Sequence, residues 1–276
     1  MNPTQATKSA IAYLPKRSDN GKLATGFVLY RGPSLLNGAP IVVIATGAAT
    51  GSENAKTGAM LQTHILLADV EPQSGIWSGA DVGICGDCPF ASGNGCYVNA
   101  WQAQTTIYRA DRDRGIYPDI SADPTAIRML GAGRAVRLGS YGDPAAVPVD
   151  VWQALTARAR TITGYTHQWR SPLTDPELRY LCMASADSAA DRIDAKRLGW
   201  RTYRVRTSEA DPLEPGEFVC PASDEAGHRV SCAECGLCAG SSIEARDPAI
   251  IVHGSGAKKA AKAIYRPTGA SLAVLS

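Results

Sequence analysis

AVRLGSYGDP, residues 135–144, is the stretch that decides the fold, because it is an apolar run that ends in glycines, a serine and an aspartate. Three more short apolar runs follow it, with segments of helical spacing between them. The predicted strands are residues 135–138, 161–169, 181–186 and 201–206, and the predicted helices are residues 150–160, 175–180 and 188–198. Alternating strands and helices with short connections indicate parallel βαβ units. The sequence therefore predicts an α/β protein with a parallel sheet.

The chain before this stretch has extended character. Residues 26–30, 41–44 and 60–69 are apolar runs bounded by turn-forming residues, which predicts three further strands. A loop-like segment follows, and residues 98–114 have helical spacing. The sequence contains no internal repeat and no low-complexity linker. We expect an N-terminal β-rich extension (residues 1–59), an α/β core (residues 60–217) and a cysteine-rich C-terminal segment (residues 218–276).

Several polar residues follow the predicted strands directly. In parallel α/β sheets, sites lie at the carboxyl ends of the strands, and Asp143, His167 and Asp187 are candidate catalytic residues there. The two aspartates suit a nucleophile and a base, and His167 suits acid–base chemistry or base stacking. The alternative is that the aspartates cap the helices that follow and that the histidine is structural.

Composition narrows the class of protein. Of the 276 residues, 45% are apolar and 20% are charged, which is ordinary for a globular protein. The net charge of +2 does not decide for or against a nucleic-acid partner. No run approaches eighteen apolar residues, and residues 1–19 lack the apolar centre of a secretion signal. We therefore expect a cytoplasmic protein with no membrane partner. Eight cysteines in that reducing compartment are better explained as ligands than as disulfides.

Four cysteines near the C-terminus form the strongest motif. They are Cys220, Cys232, Cys235 and Cys238, hereafter the four-cysteine set. Three thiolates at successive three-residue steps, with a more distant fourth, are typical of iron–sulfur sites. A structural zinc site is the alternative, with His228 as a substitute ligand or as a hydrogen-bond donor to a ligand.

Cys85, Cys88 and Cys96, hereafter the three-cysteine set, lie in a glycine-rich loop. If they share a metal, one coordination position remains open, as in catalytic sites. The alternatives are a zinc knuckle completed by a distant histidine and a loop of unlinked thiols. Cys182 lies in an apolar run and is expected to be a buried core thiol.

The tail from His253 carries Lys258, Lys259 and Lys262 after a glycine-rich turn. Such a segment can bind phosphates at a helix N-terminus. The alternative is a solvated surface helix.

The order of these motifs resembles that of radical S-adenosylmethionine (SAM) enzymes, over roughly residues 60–240. The resemblance implies a partial or full TIM-like barrel, a 4Fe–4S cluster on the three-cysteine set and an auxiliary cluster on the four-cysteine set. It also implies that Ser140, Gly142 and Asp143 bind the methionine end of SAM, and that Ser185 and Asp187 approach its ribose or carboxylate. The cysteine spacing here is two residues and then seven, whereas the family has three and then two.

The whole chain also resembles an uncharacterised family of tailed-bacteriophage proteins, which would place it in the cytoplasm of the host cell. The strings that carry this resemblance are residues 54–58 (NAKTG), 85–89 (CGDCP), 95–97 (GCY), 138–144 (LGSYGDP) and 163–167 (TGYTH).

Three functions follow from these interpretations. The first is a phage-type iron–sulfur enzyme on a radical-SAM-like barrel that acts on a nucleotide or DNA. The second is a barrel transferase that exchanges a DNA base for a deazaguanine, with Asp143 and Asp187 in covalent catalysis and a structural zinc on the four-cysteine set. The third is a non-catalytic, zinc-dependent nucleic-acid-binding protein. For an enzyme on parallel strands, we expect the three-cysteine loop, residues 139–144, His167 and Ser185 to line one cavity.

Overall fold

The computed structural model describes residues 12–16, 21–49, 56–253 and 256–264. Parts of the predicted extension, of the 54–58 string and of the lysine-bearing tail therefore lie outside the described residues. No helix in the described ranges is long and apolar enough to cross a membrane.

Five strands form the first sheet. They are β1 (Gly26–Pro33), β2 (Pro40–Thr46), β3 (Met60–Leu67), β4 (Ala135–Tyr141) and β5 (Thr161–Thr163), and they lie side by side in that order. β1, β2 and β3 pair antiparallel, whereas β3, β4 and β5 pair parallel. Residues 41–45 of β2 are all buried. Since neighbouring side chains of a strand point to opposite faces, both faces of this sheet are covered at β2.

The second sheet is parallel throughout. Its strands are β6 (Tyr165–Thr166), β7 (Met183–Ala186), β8 (Thr202–Arg206), β9 (Glu217–Val219) and β10 (Asp247–Ile251), in the order β6-β7-β8-β10-β9. Gly164 alone separates β5 from β6, so the chain passes directly from one sheet to the other. A Cβ atom at Gly164 would lie 2.6 Å from Sγ of Cys182, so the close packing at this junction requires glycine.

Helices lie between the strands. The α-helices of the described residues are α1 (Pro72–Ser78), α2 (Val82–Cys85), α3 (Ala103–Arg112), α4 (Pro124–Gly131), α5 (Val149–Thr156), α6 (Ala189–Arg197), α7 (Cys232–Cys235) and α8 (Ala257–Ile264). Short 3-10 helices cover Pro144–Ala146, Gln168–Arg170, Pro176–Tyr180 and Gly240–Ser242. The side chain of Ser188 caps α6 by accepting a hydrogen bond from the Asp191 amide, so the cap considered for Asp187 is instead made by its neighbour.

α4 and α5 pack against the first sheet in one hydrophobic core. Trp152 of α5 is fully buried, and its indole Nε1 donates a 2.9 Å hydrogen bond to the Pro144 carbonyl. Truncation of a buried tryptophan typically costs about 3–5 kcal/mol. The two helices approach so closely that a Cβ atom at Gly131 would lie 1.8 Å from the Leu155 carbonyl oxygen. This packing fixes the segment that follows β4.

Paired charges hold the far edge of the second sheet. Arg204 of β8 is fully buried and lies 2.7 Å from the Glu217 carboxylate of β9. Arg192 lies 3.3 Å from the same carboxylate, and Lys196 lies 2.8 Å from Asp247. Buried charges are tolerated where each is paired, as here.

The predicted α/β class with parallel strands is confirmed. The ten strands lie in two five-stranded sheets, and closure into a barrel stays a prediction. The predicted N-terminal extension and C-terminal segment each add strands to the sheets of the core. β2 of the extension pairs with β3, and β10 of the C-terminal segment pairs with β8. The single strand predicted over residues 161–169 is wrong. It divides into β5, Gly164, β6 and a 3-10 turn because the chain changes sheet there.

Candidate functional site

One cavity collects most of the predicted site residues. It has a volume of about 360 Å³ and is lined by residues of both sheets, of the three-cysteine loop and of α8. The predicted site residues that line it are Cys85, Cys88, Cys96, Ser140, Gly142, Asp143, His167, Ser185, Cys220, Cys232, Cys235 and Cys238. Asp187 lies next to this lining, with its Oδ2 3.5 Å from Nε2 of His167. The predicted common cavity is therefore confirmed.

The three-cysteine loop is folded back on itself by hydrogen bonds. α2 ends at Cys85, and the Cys88 amide donates to the Cys85 carbonyl over 3.2 Å. The buried carboxylate of Asp81 accepts hydrogen bonds from both the amide and the hydroxyl of Ser92, each 2.7 Å long. Burial raises the pKa of the Cys85 thiol well above its usual value, and the thiols of Cys88 and Cys96 add to the shift. The three cysteines line the same cavity.

The segment that carries His167 and Gln168 packs against this loop. The Gln168 amide nitrogen Nε2 donates to the Cys85 carbonyl and to the Asp87 carboxylate, over 3.1 and 2.7 Å. The rings of Phe90 and His167 meet edge to face with centroids 5.6 Å apart. Burial alone would lower the pKa of His167, but the nearby Cys88 thiol and the Asp187 carboxylate, whose Oδ2 lies 3.5 Å from Nε2, raise it well above its usual value.

Asp143 ties three parts of the site together. Its Oδ1 accepts a 2.9 Å hydrogen bond from the Ala145 amide, and its Oδ2 accepts a 2.8 Å hydrogen bond from the His167 amide. Its own amide donates to the Ile84 carbonyl over 2.6 Å. Burial raises the pKa of Asp143 although these hydrogen bonds oppose the shift. Asp143 therefore caps the short helix that follows it, as the alternative interpretation expects. The catalytic role of Asp143 stays a prediction.

Ser140 and Gly142 have local structural roles. The Ser140 hydroxyl donates a 2.9 Å hydrogen bond to Gln62. Gly142 has a φ of 77°, and a Cβ atom there would lie 2.7 Å from Cβ of Ile65. The space beside this glycine is occupied by the core, so a bulky residue at Gly142 is expected to disturb folding and not only the binding of a ligand.

The four-cysteine set surrounds another part of the same cavity. Cys220 follows β9, and a capping box of Ser231 and Glu234 starts α7, which carries Cys232 and Cys235. The Cys232 amide donates to the Lys56 carbonyl over 2.9 Å, which ties α7 to the segment before β3. Burial raises the pKa of Cys238 to about 12, and the side chain of Tyr165 opposes this shift. Burial also raises the pKa of Cys232, against the positive charges of Arg137 and Lys56.

A cation and three tyrosines complete the cavity wall. Arg137 of β4 donates a 2.6 Å hydrogen bond to the Tyr97 hydroxyl, and no carboxylate pairs with it among the described residues. The rings of Tyr165 and Tyr203 lie with centroids 4.6 Å apart. Sequence reasoning missed these four residues. A lone arginine inside the apolar strand that decides the fold was the available signal.

The remaining candidates lie elsewhere. His228 pairs with Asp224 and contacts the Ala222 carbonyl. Cys182 is fully buried, which confirms the predicted core thiol. Lys258, Lys259 and Lys262 are exposed on α8, as the solvated-helix alternative requires.

All eight cysteines are free thiols. Within the described ranges, no group of three or more histidine, cysteine, aspartate or glutamate side chains is arranged to hold a metal ion. No protein-family model matches the chain, and no match is found among curated proteins or among solved structures.

Proposed function

We propose that the chain is a metalloenzyme that binds one or two iron–sulfur clusters through its cysteine sets and modifies a nucleotide or DNA in the cavity between them. The observation that carries this proposal is that both sets line one cavity. A purely structural metal site has no need to face a ligand cavity, whereas a reactive site keeps access to substrate.

The donors around the three-cysteine set suit a bound cluster. Thiolates are the ligands that hold iron–sulfur clusters. Beside these thiols, the Tyr141 hydroxyl and Nε2 of His167 are buried and have no hydrogen-bond partner among the described residues. Buried polar atoms are seldom left unpaired. A bound group that accepts hydrogen bonds would satisfy them.

The surroundings of the four-cysteine set suit an anionic group. The positive charges of Arg137 and Lys56 oppose the rise in the pKa of Cys232, and the side chains of Tyr203 and Tyr165 oppose the rises in the pKa values of Cys220 and Cys238. Hydrogen bonds to sulfur and nearby charge are what tune a cluster's reduction potential. When bound, a cluster would supply one-electron chemistry.

SAM is the second cofactor that we propose, at the carboxyl end of β4. The support is the position of residues 139–143 and Ser185 on the cavity. A volume of about 360 Å³ also falls within the range of small-molecule sites.

A radical-SAM-like partial barrel is part of the same proposal. The parallel pairing of β3, β4 and β5 and that of β6, β7, β8, β10 and β9 support it. The direct passage from β5 to β6 through Gly164 supports continuity between the two sheets.

The proposal of a nucleotide substrate is based on the residues of the cavity wall. The Arg137 guanidinium suits a phosphate, and the Tyr165 and Tyr203 rings suit stacking with a base. The deazaguanine transferase has less support, since both oxygens of its proposed catalytic Asp143 already accept backbone hydrogen bonds.

Metal content of single variants tests the proposal. After anaerobic reconstitution, Cys88→Ala should lose the metal of the three-cysteine set, and Cys235→Ala should lose that of the four-cysteine set. Cys182→Ala is the matched control, because its thiol is buried but lies in neither set. Variants that retain as much metal as the wild type would refute cluster binding.

A further inference from the structure

Arg137 differs from the arginines that are buried in the second sheet and in α6. Among the described residues, each arginine that is at least nine-tenths buried lies against a carboxylate, namely Arg192, Arg201, Arg204 and Arg206. The Arg137 guanidinium instead makes one hydrogen bond within the described ranges, to the neutral Tyr97 hydroxyl, and its Nε is buried without a partner. A guanidinium has five N–H donors, and a charge held away from water without an opposite charge is costly. Its place on the cavity wall therefore indicates an anionic ligand.

Lys56 brings a second cation to the same wall. Its carbonyl accepts a 2.9 Å hydrogen bond from the Cys232 amide, and Cys232 packs on Met60 and Ala135. Ala135 and Arg137 are two residues apart on β4, so their side chains point to the same face of the sheet. Both Lys56 and Arg137 line the cavity. The two cations therefore lie on one side of it.

A neutral side chain orients the Lys56 ammonium. Its Nζ lies 2.7 Å from Nε2 of His253, whose Nδ1 lies 3.2 Å from the Ile251 carbonyl oxygen. A carbonyl only accepts and an ammonium only donates, so the ring proton is on Nδ1 and Nε2 is the acceptor for the lysine. This contact positions Nζ at the cavity without adding a negative charge.

α8 closes the cavity on the side of the three-cysteine loop. A Cβ atom at Gly95 would lie 2.4 Å from the Ala260 amide nitrogen, and one at Gly256 would lie 2.6 Å from the Gly95 carbonyl oxygen. Only glycine permits such close approach of two backbones. Gly95 and Ala260 both line the cavity. This contact leaves no gap for a strand between helix and loop, which favours a ligand that ends within the cavity over one that passes through it.

We propose that the cavity binds a nucleoside phosphomonoester, as a free nucleotide and not as part of a DNA strand, with its phosphate between Arg137 and Lys56. This rests on the proposed function in that the substrate is a nucleotide. A phosphomonoester carries about two negative charges and three acceptor oxygens, whereas each phosphodiester of DNA carries a single negative charge. Two cations on one wall therefore match the monoester.

Calorimetry tests the inference by comparing 5′-GMP with its 5′-methyl ester, which keeps the base and the sugar but loses one negative charge. The full chain should bind 5′-GMP roughly 10-fold more tightly, or better, because the monoester makes one more charge-assisted hydrogen bond. This comparison uses the wild type and so does not depend on the folding of a variant. Equal affinities would overturn the inference and leave a nucleotide within DNA as the proposed substrate.

Lys56→Gln tests whether charge causes the preference. It should lower the affinity for 5′-GMP by about 10-fold and the affinity for the methyl ester by only about 2-fold. Lys258→Gln is the matched control, because it removes the same charge from an exposed residue of α8 that does not line the cavity. It should bind both ligands as the wild type does.

Two results with these variants would overturn the inference. A preference that persists unchanged in Lys56→Gln would mean that the bulk of the methyl group excludes the ester. An equal fall in Lys258→Gln would mean that the overall charge of the protein, and not the cavity wall, attracts the ligand. If 5′-GMP, its methyl ester and guanosine all fail to bind the wild type, the nucleotide substrate of the proposed function fails as well.

Discussion

Gly142 offers a sharp test of the packing at the end of β4. An L-residue at its φ of 77° is disfavoured, by roughly 1–2 kcal/mol. A Cβ atom there would also approach Cβ of Ile65 to 2.7 Å, and such overpacking typically costs about 1–3 kcal/mol. Gly142→Ala should therefore lower the free energy of unfolding by about 2–5 kcal/mol.

Gly38 supplies the matched control. Its φ is 78°, and nothing lies within 4 Å of a Cβ atom built there. Gly38→Ala should therefore show the backbone cost alone, about 1–2 kcal/mol. Urea unfolding followed by circular dichroism, on both variants with the same metal content, measures the difference. If Gly142→Ala is no less stable than Gly38→Ala, the assignment of Gly142 to core packing is refuted.

Two further predictions concern charge in the cavity. Metal-free protein should lose stability as the pH rises above the ordinary thiol value of 9.0 toward the Cys238 pKa of about 12, because the unfolded chain releases this proton first. Urea unfolding across that range should give a flatter profile for Cys238→Ala, and an equally steep profile would contradict the assignment. Arg137→Met should weaken binding of 5′-GMP by about 1.5–3 kcal/mol, roughly 10- to 150-fold. Its effect on the binding of guanosine, which has no phosphate, should be smaller, and Arg137→Lys should restore part of the affinity for 5′-GMP. Equal losses for both ligands in calorimetry would remove Arg137 from phosphate recognition.

Local pattern was sufficient to predict the α/β class and the common cavity. Strands that alternate with helices pair in parallel, and residues after parallel strands meet at one end of the sheet. This is why the sequence alone predicts that Asp143, His167 and Ser185 lie together. Cys182 was predicted to be buried from its apolar neighbours alone.

Features that depend on contacts between distant segments could not be predicted in this way. Gly164, where the strand breaks, packs against Cys182, eighteen residues along the chain, and the role of Gly142 arises from Ile65 on another strand. The side chain of Arg137 faces a cavity that exists only after both sheets have formed. The edge-to-face contact of His167 with Phe90 likewise joins segments far apart in sequence.

The metal content and colour of the full chain purified without oxygen test the central claim most directly. Thiolate-bound iron–sulfur clusters make a protein brown, with broad visible absorption. The account predicts several irons per chain, matched by inorganic sulfide. Colourless protein that carries stoichiometric zinc, and takes up no iron on reconstitution, would contradict it.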